Sequence, residues 1–210
     1  MHTAIHQDAK ALKAAVSDRT AALMINNPDD MGIYNPNIKE WVRIVHEAGA
    51  LAFYDHANFN GVMGKIRAAE LGFDACMFML HKTFGAPKGG GGPAVGAYGC
   101  TAELAPFLPV PVVVEEGGRY RLETDRPRSA GRVREFWGNV PQVVKAYAWA
   151  VGMGGDGIEE ASDLSVLANN YMDTKLARIE GLARSHPDNP AWRMEMTRWG
   201  LGPLKEATGV

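Results

Sequence analysis

Short apolar runs and amphipathic stretches alternate along the first hundred residues. The stretch 8–16 carries helical periodicity. "TAALMIN" (20–26) is apolar until it meets the turn cluster "NNPDD", which predicts a buried strand. In "NPNIKEWVRIVHEAGA" (35–50), Ile38, Trp41, Val42 and Val45 recur on one helical face. Asn35 is the expected N-cap, with Pro36 at the first helical position and Gly49 closing the helix. "ALAFYD" (50–55) is the next strand; a short helical region follows, then "ACMFML" (75–80) as a third. Strands that are apolar throughout, separated by helices, predict a parallel α/β sheet covered on both faces.

The pattern changes after about residue 106. Pro106, Pro109 and Pro111 break "PFLPVPVVV", and two strand-like runs flank Gly117-Gly118, as in a hairpin. A long helical stretch follows. Val140, Val143, Val144, Tyr147, Ala148 and Val151 share one face, and Leu164, Leu167, Ala168 and Tyr171 share another; both are expected to pack a core. Between them "GMGGDG" (152–157) matches G-x-G-x-x-G. It follows a helix rather than a strand, which makes it a glycine turn that ends one helix and restarts the next, not a dinucleotide site.

With 210 residues, 46% of them apolar, the chain can bury a core. A net charge of −2 provides no basic surplus for nucleic acid or anionic lipid, and no run reaches the ~18 apolar residues of a membrane helix. The start "MHTAIHQDAKALKAAV" has no apolar signal core. The two cysteines, Cys76 and Cys100, have neither metal spacing nor a disulfide framework, and a cytoplasmic location is expected.

In an open parallel sheet, ligands sit beyond the carboxyl ends of the strands. The three ends here carry Asn26-Asn27-Pro28, Asp55-His56-Ala57-Asn58 and His81-Lys82-Thr83, the last leading into four consecutive glycines, Gly89–Gly92. A lysine amine near an aspartate suits pyridoxal 5'-phosphate. The amine can form a Schiff base with the aldehyde, and the carboxylate can keep the pyridine nitrogen protonated. Ala57 is small enough to lie under the ring, and glycines let backbone approach a ligand. On spacing alone, a lysine after a strand is as readily a solvated loop residue and the aspartate a helix cap. His81 alone reads as a turn residue and His46 as a surface or packing residue, while His2, His6 and His186 carry no pattern.

The segment "YDHANFNGVMGKIRAAELGFDACMFMLHKTFGAPKGGGGPAVGAYG" resembles the cofactor-binding region of glycine decarboxylase, the P-protein of the glycine cleavage system, and most of all the second subunit of its two-subunit bacterial form. "TAALMINNPDDMGIY", "PFLPVPVVVEEGGRYRL", "DRPRSAGRVREFWGNV" and "LANNYM" continue the resemblance in order, strongly over residues 10–172. It implies an α/β fold of type I (aminotransferase-like), with residues 1–106 as the C-terminal half of the large domain. Residues 107–210 would lead into the small domain. It implies Lys82 as the Schiff-base lysine and Asp55 as the ring-nitrogen partner, with Ala57, His81, Asn27 and Thr83 around the cofactor. The family usually has a small residue at the position of His56, and the imidazole there is expected to add an acid–base group. Family members are far longer, so either a companion chain supplies the N-terminal half of the cofactor domain and its phosphate cradle, or the chain is a split or shortened relative; a companion chain is expected. The implied activity is decarboxylation of glycine, with passage of the aminomethyl group to a lipoyl carrier protein. A related enzyme acting on another amino acid, and a non-catalytic scaffold subunit, are the alternatives.

Overall fold

The computed structural model describes residues 9–133 and 138–209. The first eight residues of the chain, including the first of the helix expected over 8–16, and 134–137 within "GRVREFWG", lie outside the described residues. Helix α1 (Ala9–Ala15) leads to strand β1 (Ala22–Asn26), helix α2 (Ile38–Glu47) and strand β2 (Leu51–His56). A turn of 3₁₀ helix at Ala69–Leu71 precedes β3 (Ala75–Met79). These elements match the pattern of the sequence to within a residue or two.

The start of α2 differs. It begins at Ile38, with Asn37 before it, and the Asn37 carbonyl accepts the Glu40 and Trp41 N–H groups. Asn35 lies two residues ahead of that position, its backbone N–H and C=O both bound by the Asn27 side chain (2.7 and 3.1 Å). Its own Oδ1 instead receives the Asn37 N–H.

Strand β4 (Gly96–Cys100) was not anticipated: "GAYGC" has no apolar run to announce it. It forms because the outer edge of β3 presents backbone donors and acceptors that need partners. The sheet order is β1-β2-β3-β4, with the first three parallel and β4 antiparallel to β3. Among the described residues β1 and β4 each pair on one side only.

The expected cover on both faces is present on one. Ile38, Trp41 and Val42 of α2 pack with Ala52, Tyr54 and Phe73 into the main core. On the opposite face Met24, Leu51 and Tyr98 are exposed. The polypeptide then runs through β5 (Val112–Glu116) and β6 (Arg119–Glu123), a hairpin turned by Gly117 and Gly118, both with positive φ as a two-residue hairpin loop requires.

Helix α3 (Val140–Leu176) is interrupted at Gly154 (φ 66°, ψ 178°), where the glycine turn was expected. Against the expectation, its two apolar stripes do not pack a core among the described residues: Val140, Val143, Val144, Tyr147, Val151, Leu164, Leu167 and Tyr171 are all exposed. The side that faces inward is small or polar instead, with Ala146, Ser162, Asn169, Asn170 and Asp173 buried. Short strands β7 (Ala183–Arg184) and β8 (Trp199–Gly200) and helix α4 (Gly202–Thr208) complete the fold. No helix among the described residues is long and apolar enough to cross a membrane.

Candidate active site

Register decides which strand-end residues can meet. Asn26 of β1 lies beside Asp55 of β2, which lies beside Met77 of β3 and, one strand further, Tyr98 of β4. Side chains alternate across a strand, so Leu51, Phe53 and Asp55 point to the open face while Ala52, Tyr54 and His56 point to the α2 core. The stacked rings of Phe53 and Tyr98 (5.8 Å between centroids) lie on the open face with Asp55. Asp55 is half-buried, and its Oδ1 accepts the Ala57 N–H at 2.8 Å. Ala57 therefore fixes the orientation of the carboxylate, whatever else it does.

Lys82 follows the end of β3 by three residues. A turn sets it there: its N–H donates to the Met79 carbonyl (3.0 Å) and the Ala86 N–H to that of Leu80 (3.3 Å). The Lys82 side chain is exposed and forms no ion pair among the described residues. Its neighbours are held firmly. Thr83 is buried, and His81 is half-buried with Nδ1 donating to the Val95 carbonyl at 3.3 Å. Phe84 meets Trp149 of α3 edge to face (5.9 Å), and Leu80, Ala86 and Ala146 form a small core beneath. At Gly85 (φ +71°) a Cβ would come within 3.0 Å of the Trp149 ring, so glycine is required there on two counts. Helix α3 thus anchors the loop that carries Lys82, a link that no local signal in the sequence marks.

Two residues expected at the cofactor lie elsewhere. His56 is 2% exposed, on the opposite face from Asp55. Its ring lies between Tyr54 (3.9 Å) and Phe78 (4.8 Å, stacked), with Phe59 edge-on at 4.7 Å. Burial lowers its pKa from the ordinary 6.5 to about 4, and Nδ1 has no hydrogen-bond partner among the described residues. An acid–base imidazole on the face of Asp55 is thereby replaced by a neutral core ring. Asn27 is likewise buried, with its amide spent on Asn35 and its carbonyl accepting the Tyr54 hydroxyl at 2.5 Å. It locks the loop after β1 rather than facing a ligand.

The C-terminal segment, featureless in the sequence, closes onto the same rim. The Met194 N–H donates to the Gly32 carbonyl (2.8 Å), Arg198 Nε to the Asp30 carbonyl (2.9 Å), and Asn58 Nδ2 to Asp30 Oδ1 (2.9 Å). Asn169 and Asn170, in "LANNYM", hold the backbone carbonyls of Met194 and Arg193. The Glu195 carboxyl is packed against Gly61, and burial raises its pKa.

Three parallel strands, with a carboxylate and a lysine beyond adjacent strand ends, form a sheet whose fold is shared with solved fold type I, pyridoxal-phosphate-dependent enzymes. The chain superposes on the inhibitor-bound glycine decarboxylase (P-protein) of the glycine cleavage system with a TM-score of 0.66, at 21% identity, covering 84% of this chain and 42% of that one. A C-DES mutant with glycine covalently linked to its PLP cofactor gives a TM-score of 0.64 at 14% identity, covering 89% of this chain and 48% of that one.

Sequence narrows the class. The chain is 50% identical over 169 residues to the probable glycine dehydrogenase (decarboxylating) subunit 2 of Caldanaerobacter subterraneus subsp. tengcongensis, covering 80% of this chain and 35% of that protein. It is 43% identical over 205 residues to the protein of the same description from Pyrococcus abyssi, covering 97% of this chain and 40% of the relative. The chain therefore spans about two fifths of the length of these relatives. No protein-family profile matches it.

Proposed function

We propose that this chain contributes Lys82 and Asp55 to a pyridoxal 5'-phosphate site. The reaction proposed there is decarboxylation of glycine, with transfer of the aminomethyl group to a lipoyl carrier protein, the chain acting as one part of a multi-chain enzyme in the cytoplasm. The observation that carries this reading is the placement of the two residues. Asp55 and Lys82 leave neighbouring parallel strands at the same end, Asp55 on the open face of the sheet. Similarity over most of the chain to the glycine dehydrogenase second subunit supports the choice of reaction.

The donor set fits the cofactor. Asp55 has one oxygen tied to the Ala57 N–H and the other left for a ring nitrogen; a negative charge there would favour the protonated ring. Lys82 presents an amine with no ion pair among the described residues, on an anchored loop, suited to hold the aldehyde and to move protons at the substrate's α-carbon. When bound, the cofactor would supply an electron sink for the pair left as CO₂ departs. His81 and Thr83 would serve by holding the Lys82 loop in place, and Ala57 by orienting Asp55.

The open face calls for a companion. Sheets with parallel strands are covered on both sides, whereas here Met24, Leu51 and Tyr98 are exposed and β1 pairs on one side only among the described residues. A companion polypeptide equivalent to the remainder of the longer relatives would cover this face and bring the phosphate cradle. The contact should exceed the ~2,000 Å² of permanent partners. Native mass spectrometry of the untagged protein from its source tests this. A heteromeric species with bound cofactor is expected; a lone, cofactor-free monomer would defeat the shared site.

A further inference from the structure

We infer that Trp149 of α3 is a positioning residue for Lys82: its indole fixes the turn that carries the lysine, and with it the place the amine can reach. The inference rests on the cofactor reading of Lys82 given above. A lysine that must meet an aldehyde at one point needs its backbone held, because its four-carbon stem is flexible. The turn holds itself only weakly. The Lys82 and Thr83 N–H groups share the Met79 carbonyl (3.0 and 3.4 Å), and the Ala86 N–H reaches the Leu80 carbonyl at 3.3 Å. The glycines that follow add no support: at Gly90 and Gly91 a Cβ would meet nothing within 4 Å among the described residues. Rigidity at Lys82 has to come from packing.

Trp149 supplies that packing two and three residues past the lysine. The Phe84 ring meets the indole edge to face at 5.9 Å, with Phe78 and Phe59 behind it at 6.1 and 6.3 Å. The Gly85 backbone passes so close that a Cβ there would stand 3.0 Å from the indole Cδ1. Ala146, one turn earlier on the same face of α3, is buried against Leu80 and Ala86 and is small enough to let the turn approach. Trp149 is half-buried, whereas Tyr147 and Ala148 beside it are exposed, so the indole is the large side chain of this helical turn that is directed at the loop. Among the described residues its ring partner is Phe84, and its influence on the cofactor therefore passes through the Lys82 turn. Misplacing a reacting group by about 1 Å can cost about a hundredfold in rate.

The test follows capture of pyridoxal 5'-phosphate by Lys82 in the protein purified with its companion chain and cleared of cofactor. Capture is read from the absorbance of lysine-bound cofactor, with thermal unfolding recorded in parallel. Trp149→Ala should slow capture about tenfold or more, and Trp149→Phe, which keeps a ring edge against Phe84, should restore most of the rate. Trp149→Leu fills the space without a ring; it should also slow capture, and it carries the test if the alanine variant fails to fold. In a Lys82→Ala background Trp149→Ala should leave cofactor affinity, measured by equilibrium dialysis, unchanged, because the indole acts only through the lysine. Capture at the wild-type rate in a folded Trp149→Ala or Trp149→Leu protein overturns the inference and leaves the cofactor reading standing. A similar loss of affinity with and without Lys82 makes Trp149 a general prop of the fold and also overturns it. A wild type that captures no cofactor at Lys82 removes both.

Discussion

Replacing His56 by phenylalanine should make the fold more resistant to acid. In the folded state burial among Tyr54, Phe59 and Phe78 holds the imidazole pKa at about 4, against 6.5 when it is free in water. A folded-state pKa below the unfolded one means that the unfolded chain takes up the proton first. Above pH 6.5 His56 therefore costs nothing by linkage. As pH falls from 6.5 towards 4 the unfolded state gains a proton the folded state refuses, and stability drops. From these two pKa values the loss due to His56 is about 1.4 kcal/mol at pH 5.5 and about 2.6 kcal/mol at pH 4.5. Phenylalanine keeps a ring for Phe78 to stack on and removes the unpartnered Nδ1. Urea unfolding of wild type and His56→Phe at pH 7.5, 5.5 and 4.5 isolates this group, since acid effects on other residues are common to both. The stability gap should widen in favour of the variant by those amounts. Parallel pH profiles would show that the imidazole protonates freely in the folded protein, and would reopen a place for it on the face of Asp55.

Lys82→Ala should abolish the absorbance of lysine-bound cofactor without shifting the unfolding midpoint, because the side chain is exposed; a normal band would remove Lys82 from its role. Asp55→Ala should lower kcat by orders of magnitude while cofactor still binds, and equal loss of both would indicate a folding role instead. For Glu195 burial raises the folded-state pKa, so the unfolded chain ionises first and the native state loses stability as pH rises above the ordinary 4.5. Glu195→Gln should accordingly raise the thermal midpoint at pH 8 and lose that advantage near pH 4; no gain at pH 8 would mean that the carboxylate is satisfied. Gly85→Ala should cost about 1–2 kcal/mol for the positive φ alone and shift tryptophan emission as Trp149 is displaced; unaltered emission and midpoint would refute that packing.

Local pattern made the first half of the fold legible. The strands and α2 announce themselves because each is a run of apolar residues of one period, and Gly49, Gly117-Gly118 and Gly154 fall at backbone positions that glycine fills best. β4 was hidden because its residues are small and its existence depends on an edge contributed by β3. Similarity to a family marked Asp55 and Lys82, but it could not say which way their neighbours point. His56 and Asn27 sit on the right segments and turn to the wrong face, something only strand register and alternation decide. The apolar stripes of α3 were expected to pack a core, and the structure instead leaves them exposed. Nothing among the described residues covers them, and a periodicity cannot tell an internal core from an interface.

The central claim is that Lys82 holds the cofactor in a site this chain shares with another. Borohydride reduction of the protein purified with its companion, followed by proteolysis and peptide mass spectrometry, tests it most directly. A phosphopyridoxyl group on the peptide containing Lys82, and its absence when this chain is reduced with cofactor in isolation, is the expected result. Modification at a different lysine in the intact assembly, or none at all, would contradict the account.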